Sequence, residues 1–260
     1  MEKAIYKIDV VVKAIEFMRI NLDKQITSED LARSVGYSPY HFTRIFKEVT
    51  GISPRHFLSA LRVEAGKEIL VNASSPSVLK TLLSIGFQSI GTFSTKFKQF
   101  VGLSPKKFQL NARLLHKYIN QYQNDEVILN TKFNSPIITI NLDVPNSFKG
   151  LIFIGLFPRP IPDQKPIMGT VVKDQTRCVF TCIPPGNYFI MAAAIPWSMN
   201  PKDYFILDKA LRGKIDPVVQ VAKDTDTEQT ISLREALPTD PPILINLPQL
   251  LFEREKNRAN

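Results

Sequence analysis

Histidine and cysteine are scarce in this chain, and their placement excludes more than their number does. The only histidines among the 260 residues are His41, His56 and His116. Everything past residue 120 therefore lacks the imidazole of a Ser-His-Asp or Cys-His site, or of a histidine-bearing zinc site. Cys178 and Cys182 are the only two cysteines, too few for a disulfide framework, so a reducing cytoplasm is the natural setting. They fall four apart in a stretch with strand character, where their side chains share a face about 13 Å apart, too far to hold one ion. They read as buried small hydrophobes. The 11 glycines include no phosphate-cradling loop, since Gly150, Gly155, Gly169, Gly186 and Gly213 stand singly. Nothing in the spacing of Asp203, Asp208 and Asp216 marks a carboxylate pair. No apolar run reaches membrane-span length, and MEKAIYKIDVVVKAIEF is broken by charge every few residues, unlike a signal segment. The expectation is a cytoplasmic protein that is not an enzyme and needs neither metal nor cofactor.

Charge and proline divide the chain unevenly. Residues 1–123 carry 18 Lys+Arg against 9 Asp+Glu, whereas 124–260 carry 15 of each. Of the 19 prolines, 4 precede residue 124 and 15 follow it. A basic, proline-poor half followed by a neutral, proline-rich one predicts helices and then short strands with turns. A basic face attracts polyanions, of which nucleic acid is the usual one.

The basic half contains a repeat. GYSPYHFTRIFKEVTGISPRHF at 36–57 returns as GFQSIGTFSTKFKQFVGLSPKKF at 86–108, aligned from Phe42 onward at an offset of 51. Phe42, Ile45, Phe46 and Val49 fall at i, i+3, i+4 and i+7, one apolar stripe of a helix. The opposite stripe is Tyr40, Thr43, Arg44 and Lys47, which suits the acceptors and methyl groups of a major groove. Before it, Thr27 with Asp30 reads as a helix cap opening 28–34, Gly36 as its stop, and Ser38-Pro39 as the start of the next helix. That makes a helix-turn-helix at about 27–50. A second lies at about 77–101, with Ser89 as cap and Ile90, Gly91, Ser94, Thr95 and Lys98 outward, a set poorer in groups that reach base edges. Between them a helix over 53–72 spans roughly 30 Å, close to the ~34 Å between successive major-groove faces.

These residues resemble the double helix-turn-helix DNA-binding domain of the AraC/XylS transcription regulators. The pattern (G-Y/F)…F…FK…G-(I/L)-S-P-x-x-F occurs in both halves, joined by a long helix with Leu61-Arg62, over residues 8 to about 110. The resemblance implies double-stranded DNA as partner, with RNA polymerase beside it. It implies base contacts from Tyr40, His41, Thr43 and Arg44 on the first reader, and from Ile90, Gly91, Ser94 and Thr95 on the second. Phosphate contacts are expected of Lys47, Arg62, Lys96, Lys98, Lys106 and Lys107, with a structural ion pair as the other reading of Arg62.

The expected fold is α + β in several domains: an all-α double helix-turn-helix domain at 1–120, a linker at 121–135, and an antiparallel β-sandwich sensor or interaction domain at 136–260. Runs at 137–142, 151–157, 169–173, 177–183, 188–194, 218–222 and 230–233 read as strands, while 196–213 reads as an insertion with one helical turn. FTCIPPGNYFIMA resembles the turn of transthyretin-like or carboxypeptidase-regulatory-like β-sandwiches. Trp197, Tyr188 and Tyr204 read either as core or as an aromatic-lined pocket for a small-molecule effector. The apolar stretch 238–252 is expected to pack back onto a domain surface. The leading function is a sequence-specific transcription regulator; the alternatives are a DNA-directed enzyme or repair factor, and a non-specific architectural binder.

Overall fold

The structure, a computed structural model, describes residues 2–72, 83–111 and 135–258. Residues 77–82 of the second helix-turn-helix, residues 112–120 of the expected all-α domain, and the linker expected at 121–135 up to Asn134 lie outside the described residues. The chain divides into two compact units. One is Met1–Ala112 with Leu237–Asn246, the other Arg113–Ala236 with Leu247–Asn260.

The first unit holds α1 (Glu2–Ile20), α2 (Ser28–Ser34), α3 (Pro39–Thr50), α4 (Pro54–Asn72), α5 (Ile90–Val101) and α6 (105–111). Val11, Ala14, Ile15 and Met18 make the buried side of α1. The starts and stops of the others follow local chemistry. Thr27 Oγ1 accepts from Asp30 N at 3.1 Å and Asp30 Oδ2 accepts from Thr27 N at 3.0 Å, a reciprocal cap. Those bonds to Thr27 hold the Asp30 carboxyl below its ordinary range. Behind the caps, Phe42, Phe46 and Phe57 meet edge to face with ring centroids 5.6 and 5.4 Å apart. Phe93, Phe97 and Phe108 repeat the arrangement at 5.4 Å for both pairs. All six rings are fully buried. Burying one such side chain contributes about 1.5–3 kcal/mol and one cap about 1 kcal/mol, so the triads hold the helices and the caps set their ends.

The second unit contains β1 (Ile137–Asp143), β2 (Gly150–Phe157), β3 (Met168–Lys173), β4 (Arg177–Thr181), β5 (Gly186–Pro196), β6 (Leu211–Lys214), β7 (Val219–Val221) and β8 (Asp226–Ser232), then α7 (Leu247–Arg258). One sheet runs β4-β1-β8 and the other β3-β2-β5-β6, with β7 also pairing β5. Alternate residues of both sheets, among them Ile138, Ile140 and Leu142 of β1 and Ile152, Ile154 and Leu156 of β2, join one core. Most pairs are antiparallel, but β1 and β8 pair in parallel, which the long intervening chain permits and a hairpin would not. The stretch expected to be an insertion supplies β6 after one 3-10 turn at Pro201–Tyr204. β4 stops at Thr181, so Cys182 is not on the strand. It is exposed with φ 55°, while Cys178 is buried and its thiol is pushed up to about 12. The expectation that both cysteines are buried on one face holds for Cys178 alone.

Val63, Gly66, Lys67 and Leu70, at i, i+3, i+4 and i+7, make one buried face of α4. Lys67 is 3% exposed, and its Nζ donates to the carbonyls of Ile243 at 3.3 Å and Leu244 at 3.2 Å. Desolvation lowers its pKa from 10.5 to about 8, against the pull of Glu64 and Glu68. A lysine so shifted costs stability below pH 8, and the cost fades between about 8 and 10.5, where the unfolded chain binds the proton and the folded one does not.

Two outcomes are expected. Urea titrations should find Lys67→Met more stable near pH 7 by about 1–3 kcal/mol, the removed desolvation penalty less the two carbonyls left without a donor. That gain should shrink as pH approaches 10.5. Mass spectrometry after alkylation of the native chain should find Cys182 modified within minutes and Cys178 protected until global unfolding; prompt modification of Cys178 would contradict its burial.

Candidate nucleic-acid interface

α3 is positioned by its ends and its apolar side. Ser38 Oγ accepts from His41 N at 3.4 Å, Pro39 opens the first turn, and Gly51 closes the helix at φ 79°. With Phe42, Ile45 and Phe46 inward, Tyr40, Arg44 and Lys47 are exposed and Thr43 is half-buried. Tyr40 is 83% exposed, an arrangement that apolar burial alone does not favour for an aromatic ring. His41 stacks on Tyr37 with centroids 5.2 Å apart and planes 7° apart, and its Nδ1 lies 3.4 Å from Arg44 Nη2. Tyr37 in turn shares a hydroxyl hydrogen bond of 2.9 Å with Tyr6 of α1. Tyr40, Thr43 and Arg44 thus share one open face, with His41 at its edge, braced from behind.

α5 repeats the frame with smaller side chains. Ser89 Oγ accepts from Thr92 N at 3.2 Å, and Gly102 closes the helix at φ 87°. Ile90 (49% exposed), Gly91, Thr95 and Lys98 are open to solvent and Ser94 is half-buried. At the 51-residue offset, Gly91, Ser94 and Thr95 stand where Tyr40, Thr43 and Arg44 stand on α3. Lys96 leans over the Phe100 ring at 5.6 Å from its centroid and reaches Gln99 Oε1 at 3.4 Å. Lys106 and Lys107 are exposed in the first turn of α6.

Arg62 has a structural role. Its Nε donates to Leu22 O at 3.0 Å and its Nη2 to Lys24 O, and burial lowers its pKa. A guanidinium held by two backbone carbonyls positions the fold. Gly86 packs into the same place. A Cβ there would stand 2.2 Å from Leu22 O and 2.9 Å from Arg62 Nη2, and φ is +76°. Gln25 Nε2 also donates to Gly86 O at 3.1 Å. The turn after α1, the spacer α4 and the turn before α5 are therefore clasped at one point. Gly66 brings α4 and α5 close, since a Cβ there would stand 3.2 Å from the Phe93 ring. These bonds join residues about 40 and 60 apart, which no local pattern reveals.

In the β unit the three aromatics are not brought together. Tyr188 is buried near the start of β5 with its hydroxyl donating to Pro184 O at 2.8 Å. Trp197 follows the other end of the strand, roughly 30 Å away at strand rise, half-buried with Lys173 Nζ 5.6 Å from its ring. Tyr204 is buried, its hydroxyl bonded to the backbone of Ser198. Two of the three are thus core side chains. Among the described residues no group of three or more His, Cys, Asp and Glu is placed to hold a metal ion.

A family model described as a helix-turn-helix domain matches residues 31–111. This region is an AraC-type helix-turn-helix domain. Among relatives of the AraC-type region, the HTH-type transcriptional activator AarP of Providencia stuartii is 24% identical over 107 residues, 41% of this chain and 78% of that protein. The bifunctional transcriptional activator/DNA repair enzyme AdaA of Bacillus subtilis is 28% identical over 103 residues, 40% of this chain but 48% of that protein. The DNA-binding domain of AdpA, solved in complex with a target DNA, is 26% identical with a TM-score of 0.38, covering 40% of this chain and 93% of that one.

The clasp of Arg62, Leu22, Lys24 and Gly86 has a consequence for stability. Gly86→Ala is expected to lower the unfolding free energy by about 2 kcal/mol or more, since positive φ alone costs roughly 1–2 kcal/mol with a side chain and the carbonyl of Leu22 must also move. Denaturant titration of the full chain measures this, and an unchanged midpoint would remove Gly86 from the clasp.

Proposed function

We propose that the chain is a sequence-specific transcription regulator that sets α3 and α5 in successive major grooves of double-stranded DNA, with α3 as the main reader. The observation that carries this reading is the open face of Tyr40, Thr43 and Arg44, with His41 at its edge, on a helix whose other side is sealed by the Phe42–Phe46–Phe57 triad. Arginine donates to guanine O6 and N7, and threonine and tyrosine offer hydroxyls and apolar surface to thymine and adenine. α4, 19 residues and about 28 Å long, suits the ~34 Å repeat of major-groove faces. The Gly91, Ser94 and Thr95 face of α5 offers shorter contacts, while Lys47, Lys98, Lys106 and Lys107 supply charge for phosphates.

The β unit reads as a two-layered sandwich whose two sheets share one core, with a ligand-sensing or protein-contact role. RNA polymerase as a partner follows from the regulator reading. A repair activity of the kind named for the AdaA relative would call for an activated thiol. Cys178 is held protonated by burial and does not supply one.

Arg44→Ala is expected to cost about 1–3 kcal/mol on a duplex chosen by the chain itself and to relax preference at one base pair. Fluorescence anisotropy on the chosen duplex and on random duplex measures both. Equal loss on the two would place Arg44 on a phosphate.

A further inference from the structure

Leu237–Asn246 belongs to the helical unit, although the chain up to Ala236 and from Leu247 belongs to the β unit. The segment opens on a turn in which Leu237 N donates to Asp240 Oδ2 at 2.8 Å and Asp240 N donates to Leu237 O at 3.0 Å. Pro238, Pro241 and Pro242 restrict its backbone. Ile243, Leu244, Ile245 and Asn246 then lie buried. The carbonyls of Ile243 and Leu244 accept Lys67 Nζ from the middle of α4 at 3.3 and 3.2 Å. Asn246 N donates to the carbonyl of Val101, the last residue of α5, at 3.3 Å. The segment is thus bonded to the spacer α4 and to the last residue of the second reader, α5.

Two contributions to its seat oppose each other. Burial of Ile243, Leu244 and Ile245 favours docking, while taking the ammonium of Lys67 out of water opposes it, because two carbonyls replace bulk hydration only in part. An apolar side chain at position 67 would remove the opposing contribution. Lys67 therefore lowers the free energy needed to release the segment, which is what an element with two working positions calls for.

We infer that Leu237–Asn246 is a regulatory strap, joined covalently to the β unit at both ends and seated on α4 and α5, which passes rearrangements of the β unit to the second reader. A change that alters the separation of residues 236 and 247 pulls on both ends of the seated segment and loosens the end of α5 with it.

Hydrogen–deuterium exchange of the full chain, followed by mass spectrometry, tests this on wild type, Leu244→Asp and Lys67→Met. Leu244→Asp is expected to speed exchange at least tenfold both at 243–246 and at 98–102, with α3 unchanged. Lys67→Met is expected to slow both regions together. Either variant moving the strap while 98–102 stays as in wild type overturns the proposal, as does a Lys67→Met chain unchanged in both. Should Leu244→Asp speed exchange everywhere, it has unfolded, and Lys67→Met, which removes a buried charge, decides alone. A second arm rests on the DNA reading above. On a duplex with both half-sites Leu244→Asp should bind at least tenfold more weakly, against less than twofold on a duplex with the α3 half-site only; equal losses overturn the coupling. A wild-type chain that binds no duplex would sink the DNA reading and leave the exchange arm to judge the strap.

Discussion

The helical unit depends on one polar clasp at the middle of its spacer helix. Arg62 donates to the carbonyls of Leu22 and Lys24, and Gly86 fits against that pair only because it has no side chain. The apolar triads hold each helix-turn-helix together, the first through Phe57 of α4 itself and the second with Phe93 against Gly66 of α4. The clasp joins the turn before the first half to the turn inside the second. A bidentate guanidinium does this better than an ammonium, because its donors diverge at fixed angles toward two carbonyls. The same clasp explains why a glycine at φ +76° occupies position 86.

Polar groups are buried at two points of α4, for different ends. Arg62 is half-buried with strong acceptors and fixes geometry. Lys67 is buried more deeply, compensated by two carbonyls more than 3 Å away and by the pull of Glu64 and Glu68. A buried cation with partial compensation is a poor device for stability and a reasonable one for keeping a segment near its release point. The strap gives the β unit a route to the second reader. α5 carries the smaller side chains of the two proposed readers.

Much of this was legible in the sequence because it is local. The Thr27–Asp30 cap, the Ser38-Pro39 and Ser89 starts, the glycine stops and both Phe triads follow from short spacings that a 51-residue repeat presents twice. What was missed is long-range. The partners of Arg62 lie some 40 residues back, and those of Lys67 about 176 residues ahead. A lysine at i+4 from Val63 on an apolar face was the one available signal. β6, Leu-Arg-Gly-Lys, has no strand-like composition and exists because β5 offers it an edge. The parallel pairing of β1 with β8 and the end of β4 one residue before Cys182 likewise depend on partners, not on propensity.

Selection of bound duplexes from a random pool is the most direct measurement of two helices reading DNA at a fixed spacing. Two short motifs are expected, about 10–10.5 base pairs apart centre to centre, with the half read by α3 the better defined. No enrichment, or one motif with no constraint one helical turn away, would contradict a pair of clasped readers.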